Sequence, residues 1–291
     1  MPRGATGVSD NIRTLAETFM EIAPGIHNIV TDLQHATGVT NTYLIVGTQG
    51  AAFVDAGWNR PGECEARIGY WKKLGKPPLK GIAVTHRHTP HWQNAPAIQK
   101  ACGNPPIIAT YTEKAEIESR MADATVDRPV RDGETLSLGN LTLEFLEAPG
   151  HTYGSMAVFI RETRALFTGD NVMGSGSSVV NPGEGEIVLY LQTMEKFLRY
   201  DPSVIYPGQG PVVTDPRGKI TGLIQHRKER EQQIIALLRQ APSSVTQMAA
   251  ALYANVKPGV QHLARNQLTS HLIKLEKEGK VSVDGEVYRL V

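Results

Sequence analysis

Short apolar runs, separated by glycine, proline and charged positions, recur along the chain as far as residue 206. They predict strands at residues 26–30, 42–46, 51–54, 81–84, 107–109, 135–138, 141–146, 156–160, 165–167 and 204–206. Apolar residues at helical spacing predict helices at residues 61–73, 92–100 and 114–121. Strands that first succeed one another and then alternate with helices predict an α/β domain in which a β-meander leads into βαβ units. Residues 13–23 fit either a short amphipathic helix or an edge segment of a sheet.

The pattern changes in the C-terminal part of the chain. Three helices are predicted there, followed by a hairpin: residues 220–240, 245–253 and 261–278, then 281–283 paired with 287–290. Ser243 and Ser244 are suitable caps for the second helix. The third helix carries an apolar stripe: Leu263, Leu268, Leu272 and Leu275. This succession is typical of a winged helix, so we expect one domain at residues 1–218 and a helical linker with a winged-helix-like domain at residues 219–291.

Composition narrows the classes of function. With 291 residues, 41% of them hydrophobic and 20% charged, the chain is typical of a globular protein with a real core. Its net charge of +1 creates no strong global field that would attract nucleic acid or an anionic membrane. No run approaches the roughly 20 apolar residues of a membrane span, and residues 1–10 contain no apolar signal core. We therefore expect a cytoplasmic protein in which Cys64 and Cys102 are free thiols.

Three histidines within six residues follow the strand predicted at residues 81–84. His86 and His88 lie two apart, so their imidazoles point the same way in extended backbone and can chelate one ion. His91 follows Pro90, which must bend the chain. Because imidazole is the commonest protein ligand for zinc, the stretch predicts a metal-binding loop rather than a polar surface loop with a chance excess of histidines.

Further polar residues stand just beyond other predicted strands: Asp55, His151, Asp170 and Gln209. Functional sites in sheet-containing folds collect at strand ends, so we expect these side chains to converge with the histidine cluster on one metal. Asp55 fits two roles. It is either a residue that caps a turn or one that orients a ligand histidine through a hydrogen bond.

Four stretches of the chain resemble the motifs of the metallo-β-lactamase superfamily. They correspond to Thr/Ser-His-x-His-x-Asp-His, Pro-Gly-His-Thr, Gly-Asp and Pro-Gly-His-Gly, and lie at residues 85–91, 149–152, 169–170 and 207–210. The resemblance implies an α/β fold, an αββα sandwich with a zinc site at one edge.

Residues 41–45, 53–57, 226–234 and 275–281 are similar to the beta-lactamase-like-protein-2 group. That group adds a C-terminal winged-helix domain and includes a mitochondrial endoribonuclease. The chain is also similar to the discrete thioesterases that release fungal aromatic polyketides from their carrier protein.

The resemblance also implies a set of ligands for one metal: His86, His88, His151 and Asp170. In the family, a second metal takes the aspartate and the last histidine of the first motif together with the late histidine. The corresponding residues here are Pro90, His91 and Gln209. Proline offers no side-chain donor, and a neutral amide oxygen is a weak ligand for zinc. We therefore expect one Zn²⁺ per chain, with His91 and Gln209 forming at most a weak second site.

A single zinc leaves several chemistries open. Such an ion can lower the pKa of a bound water to about 7, which favours hydrolysis of a thioester or ester, with polyketide-type acyl groups as candidate substrates. Alternatively the metal polarises a carbonyl while His91 moves a proton, as in a lyase, isomerase or cyclase. An endoribonuclease is the third candidate and the least favoured, because phosphoryl transfer gains from two metals.

The expected catalytic residues are His91, Asp170 and Tyr153. Tyr153 is either a second proton-transfer group or an ordinary loop aromatic. The winged-helix-like domain could bind nucleic acid through basic residues of its third helix, Arg265, Lys274 and Lys277, or it could serve packing or dimerisation. We favour the second role because the chain is not strongly basic. The expected partners are thus a small-molecule or carrier-bound acyl substrate and a second copy of the chain. Nucleic acid stays a less favoured alternative, and no membrane is expected.

Overall fold

The computed structural model describes residues 19–31, 40–121, 124–254 and 261–291. These residues form two compact units. The first unit holds the described residues up to Glu147, together with Gly154–Gly176 and Ser203–Thr214. The second holds Ala148–Tyr153, Ser177–Pro202 and Asp215–Val291. The predicted domain boundary after residue 218 stays a prediction.

The first unit contains a seven-stranded sheet whose strands lie in chain order. These strands are β1 (Phe19–Ala23), β2 (Ile26–Thr31), β3 (Thr40–Gly47), β4 (Gly50–Val54), β5 (Leu79–Ala83), β6 (Ile107–Thr110) and β7 (Arg128–Val130). Strands β1 to β4 are antiparallel neighbours, whereas β4 to β7 run parallel. The predicted meander that leads into βαβ units is therefore confirmed. Of the two alternatives for residues 13–23, the described part, β1, is an edge strand.

Helices connect the parallel strands. They are α1 (Glu63–Lys73), α2 (Thr89–Trp92), α3 (Ala95–Ala101) and α4 (Tyr111–Glu118). The single helix predicted at residues 92–100 is wrong in detail, because the chain turns between α2 and α3. Asn94 stands at the N-cap position of α3, and a proline occupies the first turn of the helix, where the missing N–H has no helical partner to lose.

A second sheet of five strands has the order β12-β11-β10-β9-β8. Its strands are β8 (Thr135–Ser137), β9 (Thr142–Glu147), β10 (Met156–Ile160), β11 (Ala165–Phe167) and β12 (Val204–Tyr206). The hairpin predicted across Gly139 and Asn140 is present, since β8 and β9 pair antiparallel and Gly139 has a φ of +99°. Strand β12 joins β11 in parallel.

The two sheets pack face to face, and their side chains form one core. It includes Tyr43 and Val54 from the first sheet and Phe145, Val158 and Phe167 from the second. A second core lies between the opposite face of the first sheet and its helices, with Phe53 and Ile82 facing Trp71 and Ile98. All five residues of β4 are buried, because both faces of this sheet are covered.

The longest continuous segment of the second unit is Asp215–Val291. The elements of the unit are α5 (Ile187–Tyr200), α6 (Pro216–Gln240), β13 (Ser243–Ser244), α7 (Val245–Leu252), α8 (Gln261–Lys277), β14 (Val281–Asp284) and β15 (Val287–Leu290). The last three helices and the β14–β15 hairpin confirm the predicted winged-helix plan. Ser244 caps α7 in a reciprocal capping box with Gln247. Leu268, Leu272 and Leu275 of the predicted stripe are buried in its core.

Helix α5 was not among the predicted elements. Its buried residues, which include Ile187, Tyr190, Met194 and Phe197, recur at helical spacing. Cys64 and Cys102 are buried free thiols, as expected. Within the described ranges, none of the helices is both long and apolar enough to cross a membrane.

Candidate metal centre

The site begins at the carboxyl ends of β4 and β5, which share one edge of the sheet because these strands are parallel. Asp55 follows β4 with a φ of +59°, a conformation that aspartate tolerates better than most residues. Its backbone N–H donates to the carbonyl of Ala83 at 2.8 Å. Its carboxylate accepts from both the backbone N–H and the hydroxyl of Thr85, at 2.8 and 3.0 Å. Asp55 therefore fixes the residue that precedes the histidine cluster.

His86 and His88 meet as their spacing predicts. His86 is 1% exposed, and its Nδ1 lies 3.1 Å from the Thr85 hydroxyl. Its Nε2 lies 3.1 Å from Nδ1 of His88. The two nitrogens therefore face a common point, the arrangement that a chelating pair requires.

His91 is held between two carboxylates. It lies on α2 and is fully buried, with Nδ1 at 2.6 Å from Oδ2 of Asp55 and Nε2 at 3.5 Å from Oδ2 of Asp170. Burial by itself lowers the pKa of His91, but the charges of Asp170 and Asp55 outweigh it and raise the pKa to about 10. Asp55 thus lies in a turn and also pairs with His91, and its role in orienting a ligand histidine stays a prediction.

Asp170 follows β11 and is held by Gln209. The amide Nε2 of Gln209 donates to Oδ2 of Asp170 at 2.6 Å. Gly208 lies so close that a Cβ there would stand 2.9 Å from Oδ1 of Asp170 and from Cε1 of His91. The loop at residues 207–210 is held by strand β3, because the hydroxyl of Tyr43 donates to the Pro207 carbonyl at 2.9 Å.

Three of these side chains converge closely enough to bind an ion. One ligand atom from each of His86, His91 and Asp170 lies within 4.8 Å of the other two. His91 Nε2 is buried and has no hydrogen-bond partner within the described part of the chain. Two imidazoles and a carboxylate form a donor set that suits zinc. The residues present therefore fit a metal ion.

The remaining predicted site residues lie in the second unit. Nδ1 of His151 lies 2.7 Å from the carbonyl oxygen of Val179, and the ring is 6% exposed. Tyr153 is 39% exposed, and its backbone N–H donates to Glu184. The metal-binding role of His151 and the proton-transfer role of Tyr153 stay predictions.

The family model described as the metallo-beta-lactamase superfamily matches residues 36–209, which is more than half of the chain. The chain belongs to the metallo-beta-lactamase superfamily. A second model, the beta-lactamase associated winged helix domain, matches residues 244–289. The predicted family, the metallo-beta-lactamase fold and the C-terminal winged helix are therefore confirmed.

Relatives of this chain match it over most of its length. The beta-lactamase-like protein 2 homolog of Drosophila melanogaster is 28% identical over 262 residues, covering 86% of this chain and 87% of the relative. The atrochrysone carboxyl ACP thioesterase of Emericella nidulans is 25% identical over 257 residues, covering 86% and 78%. A beta-lactamase domain protein from Burkholderia ambifaria shares the fold with a TM-score of 0.80 at 19% identity, covering 94% of this chain and 93% of that one. The protein is thus a hydrolase of the metallo-beta-lactamase fold.

Three residues beside the candidate metal centre were not among the predicted site residues: Thr85, Arg87 and Glu113. Thr85 connects Asp55 to His86, and its place at the head of the histidine motif was the available signal. Arg87 stands between the two paired histidines, and its Nε donates to the buried carboxylate of Glu113 at 2.6 Å. Nothing in the local pattern indicates Glu113, which lies 26 residues further along the chain.

Proposed function

We propose that this protein is a thioesterase with a single zinc ion, acting on a small-molecule or carrier-bound acyl thioester of the polyketide type. The observation that carries the proposal is that Nε2 of His86 lies 3.1 Å from Nδ1 of His88 and 3.9 Å from Oδ2 of Asp170, in a hydrolase of this superfamily. The Emericella nidulans relative, named as an acyl-carrier thioesterase, supports the choice of a thioester as substrate.

The residues proposed to hold the zinc are those of the intact half of the motif set: His86, His88, His151 and Asp170. When bound, zinc supplies a Lewis acid that polarises a carbonyl oxygen and acidifies water. Neutral histidines must present a lone pair to a metal. The 3.1 Å approach of His86 Nε2 and His88 Nδ1 brings both nitrogens within reach of one ion. One of them carries the hydrogen of this contact, and its ring must give up that hydrogen when the metal binds.

His91 is proposed to hold and move the proton of the reaction. Asp55 fixes Nδ1 of its ring, which leaves Nε2 directed at Asp170. A proton on Nε2 can pass to the sulfur of the leaving thiol as the acyl–sulfur bond breaks. The oxygen of a water molecule bonds to the carbonyl carbon before the acyl–sulfur bond breaks, and a proton from that water returns to Nε2 of His91. The thiol and the acid therefore form in equal amounts.

The contacts of Gln209 support one metal rather than two. Its amide nitrogen, which has no lone pair for a metal, faces Asp170 at 2.6 Å. Pro90 offers no donor where the family motif has aspartate. The second site therefore lacks two ligands, so His91 is free for proton transfer.

Two of the three basic residues considered on α8 form ion pairs, which supports an acyl substrate over a nucleic acid. Lys274 is buried and ion-paired with Glu231 and Glu278, at 2.7 and 2.9 Å. Lys277 lies 3.1 Å from Glu186. Neither lysine presents an unneutralised charge to a phosphate backbone. We also propose that the protein is cytoplasmic and that it forms a homodimer. Sedimentation analysis would test the homodimer.

The test is to supply the zinc-loaded protein with an aromatic acyl thioester of N-acetylcysteamine and to measure free thiol and free acid together. We expect both products in equal amounts, with turnover abolished in His86→Ala. The exposed His226→Ala on α6 is the matched histidine control and should retain wild-type turnover.

Two results would overturn the proposal. Loss of the thioester with a rearranged product and no free acid would assign the protein to the lyase, isomerase or cyclase class. Cleavage of single-stranded RNA that disappears in His86→Ala, without thioester hydrolysis, would make it a nuclease.

A further inference from the structure

We propose that the winged-helix part of this chain positions the zinc ligand His151, through Gln267, Ser270 and Arg227. The inference rests on the proposed function, in which His151 binds the metal. It assigns these three residues as positioning residues. All of the groups involved belong to the second compact unit.

The carbonyl of Val179 fixes the state of the His151 ring. A carbonyl oxygen only accepts hydrogen bonds, so the 2.7 Å contact requires that Nδ1 of His151 carries the hydrogen. The opposite nitrogen, Nε2, is then left with the lone pair that a metal needs. The hydroxyl oxygen of Ser178 lies 3.0 Å from the same Nδ1 and strengthens this arrangement.

Helices α6 and α8 hold the peptide groups on both sides of that carbonyl. Arg227 of α6 donates from its guanidinium to the carbonyl of Ser178. On α8, Gln267 accepts from the backbone N–H of Val180 at 3.3 Å. Ser270 donates its hydroxyl to the carbonyl of Val180 at 2.7 Å. The Val179 carbonyl is therefore fixed in direction by the C-terminal helices.

Burial makes these contacts rigid. Arg227 is 1% exposed, and Gln267 and Ser270 are 7% and 5% exposed. A buried backbone group that loses its partner costs about 1–3 kcal/mol, because water cannot replace the lost bond. The segment at residues 178–180 therefore has little freedom to turn the Val179 carbonyl away from His151.

The loop that carries His151 is tied to the same helices by a second route. Gly150 packs directly on α5, where a Cβ would stand 2.4 Å from Cα of Tyr190. The guanidinium of Arg227 lies 5.0 Å from the centroid of the Tyr190 ring. Arg227 thus contacts both the support of the His151 backbone and the segment that orients its ring.

The test uses substitutions on α8 in the full-length protein that remove the contacts to Val180, together with a matched control. Ser270→Ala removes the bond to Val180, and Gln267→Leu removes the acceptor beside it. Thr269→Val is the matched control, because the hydroxyl of Thr269 donates only within its own helix, to Arg265 at 3.0 Å. Ser270→Thr keeps a hydroxyl and should rescue. His151→Ala reports whether His151 is a ligand.

Two readouts besides turnover are used: zinc affinity by competition with a chromophoric chelator, and the visible spectrum of the Co²⁺-loaded protein. We expect Ser270→Ala and Gln267→Leu to weaken zinc binding about 10-fold or more and to change the Co²⁺ spectrum. Thr269→Val and Ser270→Thr should match the wild type.

The outcomes separate this inference from the proposed function. Weakened binding in His151→Ala, but wild-type affinity and spectrum in Ser270→Ala and Gln267→Leu, would overturn the positioning role alone. Wild-type zinc affinity in His151→Ala would overturn the proposed ligand set and the positioning role with it. An equal loss in Thr269→Val would show that the effect is a general loosening of α8, which also contradicts the inference.

Discussion

Asp55 connects the two strands that carry the metal centre. Its carboxylate accepts from Thr85 and contacts His91, while its backbone N–H donates to the carbonyl of Ala83, the last residue of the neighbouring strand. Because this carboxylate is 2% exposed, its charge acts on His91 with little screening by water. The protonation of His91 therefore depends on a residue that need not touch the substrate.

Asp55→Asn should lower the pKa of His91. The substitution keeps the shape of the side chain but removes one of the two charges that hold the pKa at about 10. We expect a fall of about one pH unit or more, because burial then opposes a single carboxylate. An NMR titration of the metal-free protein checks it. Asp215→Asn, at the start of α6, is the control; an unchanged His91 titration in Asp55→Asn would contradict the account.

The sequence indicated which polar residues stand at the strand ends, but it predicted only one of the contacts between them. The spacing of His86 and His88 required only extended backbone, so their approach was predictable. The pairing of His91 with Asp55 joins residues 36 apart and depends on the parallel register of β4 and β5. The direction of the Gln209 amide likewise depends on the packing around Asp170, to which no local pattern refers.

The loop that carries His151 requires glycine at position 150, where the backbone lies directly against α5. Gly150 precedes His151 with a φ of +144°, and a side chain there would collide with the backbone of α5. No residue with a Cβ satisfies both conditions. The Pro-Gly-His stretch thus requires glycine because a helix lies directly against it.

Gly150→Ala should destabilise the second unit by more than about 3 kcal/mol, from strain and collision together. Gly183→Ala is the matched control, since Gly183 also has a positive φ, of +81°, but no atom lies within 4 Å of a Cβ built there. Strain alone should cost the control about 1–2 kcal/mol. Urea unfolding measures both variants, and equal losses would contradict the role of close packing.

Most elements were predictable because their apolar patterns match their burial. The strands of both sheets and the winged-helix plan are examples, since each run of apolar residues covers one core. Strand β7 was missed because it has three residues, one of them proline. Helix α5 has a regular apolar face, but it follows a Gly- and Ser-rich stretch that favoured a loop.

Stability of the whole protein should depend on a buried histidine far along the chain. His271 of α8 is fully buried. Burial lowers its pKa below 6.5, although Glu231 beside it acts in the opposite direction. As the pH falls below 6.5, the unfolded chain takes up a proton at this position and the folded chain does not. Stability is therefore present above pH 6.5 and is lost as the pH falls toward the folded pKa.

Thermal unfolding between pH 7.5 and pH 5.5 checks this dependence. The wild type should lose up to about 1.4 kcal/mol per pH unit from this group. His271→Gln should flatten the dependence, whereas His262→Gln, an exposed residue of the same helix, should leave it unchanged. A wild-type slope in His271→Gln would refute the assignment.

The chain combines the superfamily fold with a candidate metal centre whose residues match only part of the family motif. His86, His91 and Asp170 converge, while Pro90 and Gln209 replace two residues that the family pattern uses for a second metal. The account therefore depends on how many ions the protein holds.

The most direct measurement is the number of zinc ions per chain, determined by elemental analysis after zinc loading and gel filtration against a weak chelator. The account predicts one equivalent for the wild type, none for His86→Ala, and two for the double variant Pro90→Asp/Gln209→His, in which the missing donors are restored. Two firmly held equivalents in the wild type would contradict it.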